Sequence, residues 1–100
     1  MIDSKTYKFL NDLINSFLED KIYEFSIKIN AMIDENQFDE LVKNYDSSNG
    51  VTQNNINIDE YTYDVDEKNM KKIIIEYIKQ PNNKITIFSI QGFGEMIKDE

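Results

Sequence analysis

Apolar and polar positions along this chain fall into two kinds of periodicity. In residues 4–19, Phe9, Leu10, Leu13, Ile14, Phe17 and Leu18 recur every 3.6 residues, with Asn11, Asp12, Asn15, Ser16 and Glu19 between them. That spacing predicts an amphipathic helix, with Ser4 or Asp3 able to cap its first turn. In residues 21–33, Tyr23, Phe25, Ile27 and Ile29 alternate with Glu24, Ser26, Lys28 and Asn30. A period of two with aromatic and β-branched residues reads as a strand, although Ile22, Phe25, Ile29, Met32 and Ile33 also fit a helical stripe.

Residues 35–46 read as a short helix capped by Asp34, with Phe38, Leu41, Val42 and Tyr45 on its apolar side. Carboxylates at its start suit the helix dipole. Residues 46–50 end it, because Asn49 and Gly50 tolerate positive φ. Residues 51–57 are polar and Asn-rich, a loop or a frayed edge strand. Ile56, Ile58, Tyr61 and Tyr63 then suggest a strand, with Asp59 and Glu60 breaking the alternation where a bulge would fit.

Residues 66–79 carry Met70, Ile73, Ile74, Tyr77 and Ile78 at helical spacing, which predicts a third helix with Lys68, Lys71, Lys72, Glu76 and Lys79 in water. Pro81 and two asparagines stop it. Residues 84–90 alternate as a last strand, and Gly92 and Gly94 loosen the tail, with Phe93, Met96 and Ile97 folding back. The expected architecture is a single α+β domain over residues 1–100. It has about three helices and a three-stranded sheet in two layers. If residues 21–33 are helical instead, the N-terminal half becomes a small helical bundle with a hairpin behind it.

Composition removes whole classes of chemistry. The 100 residues contain no Cys and no His, and all eleven basic residues are lysine. Ordinary zinc and copper sites, thiol catalysis, a Ser-His-Asp arrangement and bidentate arginine clamps are therefore absent. Sixteen isoleucines and many Asn and Lys look like the bias of an AT-rich genome. With no basic leader, no long apolar run and no disulfides, the chain is expected to be cytoplasmic.

Charge is the sharpest functional signal. Ten carboxylates and one lysine lie in residues 34–67, a net of −9, while the rest of the chain carries ten lysines against nine carboxylates, +1, for a total of −8. Such a surface repels nucleic acid and anionic membrane, and it attracts basic partners. The expected partner-binding set is Asp46, Asp59, Glu60, Tyr61, Tyr63, Asp64, Asp66 and Glu67, since tyrosine beside carboxylates suits an interface. Tyr45 and Tyr77 extend the aromatic part.

Asp64, Asp66 and Glu67 can also hold Mg²⁺ or Ca²⁺, but their spacing is generic and acidic capping residues at a helix start explain them far better. Residues 46–50 lack the glycine and glutamate of an EF-hand. No carboxylate pair is marked for acid–base work, so no catalytic residue, metal or cofactor is assigned.

Residues 13–22 and 24–26, with residues 63–67 leading into the Met70 to Ile78 stretch, are similar to small bacterial immunity proteins of the colicin D kind. That resemblance implies an all-helical toxin inhibitor; the strand-like residues 85–90 lie outside its pattern. The expected function is an acidic inhibitor of the immunity type, binding a basic toxin or nuclease as a monomer or homodimer. The alternatives are a phage-encoded inhibitor imitating DNA charge, a structural or assembly subunit, and an enzyme or metal binder using carboxylates alone.

Overall fold

Two helices lie across one face of a five-stranded antiparallel sheet in the computed structural model, which describes residues 4–96. The chain runs α1 (Ser4–Leu18), β1 (Phe25–Asp34), α2 (Glu35–Val42), β2 (Ser47–Gln53), β3 (Ile56–Asp64), β4 (Asn69–Gln80) and β5 (Lys84–Met96). Strand order is β1-β5-β4-β3-β2, so β5 and β4 are interior and β1 and β2 are the edges.

The expectation of three helices and a three-stranded sheet is wrong, and β4 is where it fails. Residues 69–80 form a strand and not a helix. Lys71, Ile73, Ile75 and Tyr77 turn toward the helices and are buried, while Ile74 and Ile78 face the other way. A central strand with apolar residues on both faces imitates a helical stripe. The β-branched Ile73-Ile74-Ile75 run and the tight turn that follows decide for the strand.

The turns fix the register. Asn54 and Asn55 both adopt positive φ (54° and 67°) in a two-residue connection between Gln53 and Ile56, the geometry that matches strand twist. Asn82 and Asn83 also adopt positive φ (63° and 59°) in the three-residue connection between Gln80 and Lys84. Asn49 and Gly50, expected in a turn, instead pair with Glu60 and Asp59 within β2. The expected bulge at Asp59 and Glu60 is absent, since β3 pairs regularly with both neighbours. The irregularities fall between Lys28 and Ala31 in β1 and opposite Glu76 and Tyr77 in β5.

Glycine does not loosen the tail. Gly92 is buried in β5 opposite Phe25, and a Cβ there would stand 2.5 Å from the Phe25 ring. The core lies between sheet and helices. Leu10, Ile14 and Phe17 of α1 and Phe38 and Leu41 of α2 meet Ala31, Ile33, Ile73, Ile75, Ile85, Ile87 and Ile90. Met96 is exposed, and Ile97 lies outside the described residues.

Candidate functional site: a cleft at the end of the sheet

α1 ends in a manner that requires help from elsewhere. Its last turn holds no basic residue, and Asp20 takes φ 62° as the chain turns away. The amides of Lys21 and Ile22 donate back to the Ser16 carbonyl (2.9 and 3.4 Å). The Leu18 carbonyl would remain open, and that of Phe17 would keep only a long 3.3 Å bond from Asp20 N. Lys71 of β4 fills that role: its ammonium donates to Phe17 O at 2.5 Å and Leu18 O at 3.0 Å, and pairs with Asp20 Oδ1 at 2.5 Å. The same ammonium stands 5.3 Å from the Phe17 ring centroid. All three ammonium protons are therefore placed, and the side chain is only 10% exposed.

Around Lys71 opens a cleft of about 930 Å³. Its walls come from the α1–β1 loop (Asp20, Ile22, Tyr23, Glu24), the β3–β4 turn (Val65), the start of β4 and the end of β5 (Glu95, Met96). Tyr23, Val65 and Met96 are 81%, 43% and 72% exposed, three of the few large apolar side chains left in water. Carboxylates stand among them. Asp20 is bound to Lys71, and Glu95 to Lys72 at 3.0 Å. Glu24, exposed on the rim, has no cation beside it among the described residues.

The eight residues expected to form one partner surface separate into three places. Asp64, Asp66 and Glu67 lie at or in the β3–β4 turn, next to Val65 and the cleft. Asp66 is occupied in shaping that turn. It accepts from Lys68 N (2.8 Å), Asn69 N (2.9 Å) and Asn69 Nδ2, which holds its carboxyl below the ordinary carboxylate range. Asp46, reached from α2, accepts from Asp64 N at 2.8 Å and sits beside this group. Glu60 faces the opposite side of the sheet, where it bridges Lys72 at 3.1 Å.

Asp59, Tyr61 and Tyr63 belong to the face under α2. Asp59 Oδ2 accepts from Tyr61 OH at 3.0 Å and Tyr77 OH at 2.6 Å. The Phe38 ring lies 4.7 Å from that of Tyr77, and Tyr45 makes edge contacts with Tyr61 and Tyr63. Burial raises the Tyr45, Tyr61 and Tyr77 phenols well above their ordinary range, and Asp59 adds to the effect at the last two. Tyr61 and Tyr77 are core residues, and their rings offer a partner little surface. Among the described residues no three Asp or Glu side chains converge as metal ligands.

Lys71, Tyr23, Glu24, Glu95 and Met96 were not expected at a site. They meet only because the first loop, the β3–β4 turn and the end of β5 share one end of the sheet. The apolar Tyr23 and Met96 beside carboxylates were the available signal.

Comparison with known proteins places the chain. Residues 6–95 match the family model described as "Protein of unknown function (DUF1374)". The chain is 43% identical over 93 residues to the uncharacterized protein ORF99 of Acidianus filamentous virus 1 (isolate United States/Yellowstone), covering 93% of this chain and 94% of that protein. It is 42% identical over 91 residues to uncharacterized protein 14 of Sulfolobus islandicus filamentous virus (isolate Iceland/Hveragerdi), covering 89% and 80%.

Among solved structures it is similar to "the thermo- and acido-stable ORF-99 from the archaeal virus AFV1", with TM-score 0.91, 43% identity and 95% and 97% of the two chains covered. It is also similar to ORF14 from Sulfolobus islandicus filamentous virus, with TM-score 0.83, 39% identity, and 95% and 89% covered. These relatives overturn the bacterial setting and leave the immunity-type inhibitor without support. The colicin D-like pattern also loses its last helix, which is β4. The chain belongs to the DUF1374 family.

Proposed function

We propose that this protein is a virus-encoded binding module whose cleft takes a segment of a partner protein carrying lysine or arginine beside a large apolar side chain. The observation that carries this reading is the company kept by Tyr23, Val65 and Met96. They share one cleft with Asp20, Glu24 and Glu95, and the only cation lining it among the described residues, Lys71, is already saturated. Exposed apolar surface rimmed by charge of one sign marks a contact surface, and the sign selects the partner.

The acidic turn beside the cleft supports the same choice. Asp64 and Glu67 extend the negative potential past the cleft mouth, which favours fast, salt-sensitive encounter with a basic segment and disfavours nucleic acid. The apolar rim supplies the contact area that charge alone lacks.

Selection of random peptides on the immobilised protein tests the reading. Retained sequences should be rich in Lys or Arg next to aromatic or long aliphatic residues. They should be released by salt and lost on a folded Tyr23→Ser/Met96→Ser variant. Retention of acidic sequences, or equal retention by the variant, would refute it.

A further inference from the structure

The sheet face turned away from the helices is not a water-adapted surface. Along β4 it presents Ile74 and Ile78 alternating with Lys72 and Glu76, and β1 adds Met32, 42% exposed. Phe93 of β5 lies on the same face, paired with Lys72. None of these four apolar side chains packs on the core. An antiparallel sheet with one solvated face ordinarily alternates apolar-in and polar-out, and this one does not.

Charge and symmetry together select what covers it. The molecule carries −8, so most of its surface repels a second copy. On this face Lys72 is bridged by Glu60 and Glu95, and Lys84 by Asp34. That leaves Lys28 of β1 and Glu76 of β4 without an ion pair among the described residues. Both pair across the sheet with Ser89 of β5, one on each side of it. Met32 and Ile78 likewise flank Thr86.

A two-fold axis parallel to β5 exchanges the flanking strands. It sets Lys28 of one copy against Glu76 of the other, and Met32 against Ile78. Residues on the axis meet their own copies, so they must be uncharged. From Thr86 to Phe93 β5 presents Thr86, Ser89, Gln91 and Phe93 there, and its charged Lys84 and Glu95 lie outside that span, paired with Asp34 and Lys72, whereas an axis on β4 would bring Lys72 to Lys72 and Glu76 to Glu76 within it.

We infer that two copies of this chain pack open face to open face about an axis along β5, joined by reciprocal Lys28–Glu76 pairs and by Met32–Ile78 contacts. Aligned packing of two sheets accommodates their twist. Three overlapped strands of about eight residues give a footprint of roughly 400 Å² per copy, about half that of a standard stable interface, so the dimer is weak and concentration-dependent. The inference is independent of the cleft, which lies at the end of the sheet and stays open.

Sedimentation equilibrium of the full chain across a wide concentration range tests it. The mass should rise from 11.8 kDa toward twice that value. Ile74→Glu should weaken association, with the melting temperature reporting that the fold survives. Lys28→Glu and Glu76→Lys should each weaken it by at least about 100-fold, because like charges then meet. Their combination should restore it, a result that misfolding cannot produce. A mass of 11.8 kDa throughout would overturn the inference. So would a dimer indifferent to all these changes, or failure of the double variant to recover.

Discussion

Lys71 and Phe17 stand 54 residues apart in the chain, yet the Lys71 ammonium donates to the Phe17 carbonyl at 2.5 Å and lies over the Phe17 ring. A lysine of the central sheet thus terminates the first helix. The same contact closes the floor of the cleft, so helix end and cleft are one construction. Asp20 completes the arrangement from the solvent side, with its side chain 65% exposed.

Removing the cap should therefore cost more than removing the counter-ion. Lys71→Met keeps most of the stem but leaves the Leu18 carbonyl and the Asp20 carboxylate without a donor and the Phe17 carbonyl with only the 3.3 Å bond from Asp20 N, and is expected to destabilise by about 2–3 kcal/mol. Asp20→Asn leaves both carbonyl bonds in place and should cost about 0–1 kcal/mol, as exposed pairs do. Urea unfolding of the two variants compares them. Hydrogen exchange should show the loss in Lys71→Met concentrated in the last turn of α1.

Gly92 permits the approach of β1 and β5. Gly92→Ala places a methyl 2.5 Å from Cε1 of Phe25, whose ring stacks edge-on against Phe17 at 5.4 Å. The flexible alternative of moving Phe25 breaks that stack. A loss of about 1–3 kcal/mol is expected from such overpacking, read as a lower melting temperature. Gly94→Ala, with its nearest neighbour at 3.9 Å, should be tolerated and serves as the control.

The tyrosines under α2 should respond in opposite directions. Tyr77→Phe removes a 2.6 Å bond to Asp59 and should destabilise by about 1–2 kcal/mol. Tyr45 has a buried hydroxyl with no hydrogen-bond partner among the described residues. Tyr45→Phe deletes that unsatisfied group while keeping the ring contacts, and should be neutral or stabilising by up to about 1 kcal/mol. Denaturant midpoints of the two variants decide.

Alkali should unfold the protein before it titrates these phenols. Tyr45, Tyr61 and Tyr77 are raised above the ordinary value of 10.0, so the folded chain holds their protons more tightly than the unfolded chain. Their contribution is complete below pH 10.0 and is lost as pH rises above it. Lys72, raised by Glu95 and Glu60 from 10.5, acts in the same sense. Phenolate absorbance of these three should appear together with the loss of circular dichroism. Earlier, independent titration of all six tyrosines would contradict the buried cluster.

Legibility of the fold tracked how one-sided each element is. α1 and β1 each bury one face, so Leu10, Ile14 and Phe17, or Ala31 and Ile33, stood out against polar neighbours. β4 buries one face and leaves isoleucines on the other, and its two stripes overlay as a false helical period. β2 has no apolar face at all: Ser47–Gln53 is exposed throughout and is held by its neighbour and the Asn54-Asn55 turn. That turn, two asparagines between Val51 and Ile56, was the sequence sign of the hairpin. Gly92 read as a breaker because its reason, the Phe25 ring, lies 67 positions earlier in the chain.

The candidate site was legible only in its charge. Asp64, Asp66 and Glu67 were expected to face a partner; they neighbour Val65 in the chain without lining the cleft themselves. Lys71 read as a wetted lysine because no local pattern announces that it will cap a distant helix. Tyr23 lies in the α1–β1 loop and Met96 at the end of β5, where alternation gives no hint of what stands opposite.

Amide chemical shifts of the labelled protein, titrated with a selected peptide carrying lysine beside leucine, test the central claim most directly. The binding reading predicts shifts concentrated on Tyr23, Glu24, Val65, Lys71, Glu95 and Met96, fading as salt is added. Shifts confined to the open sheet face, or none at peptide levels well above those of the protein, would contradict it.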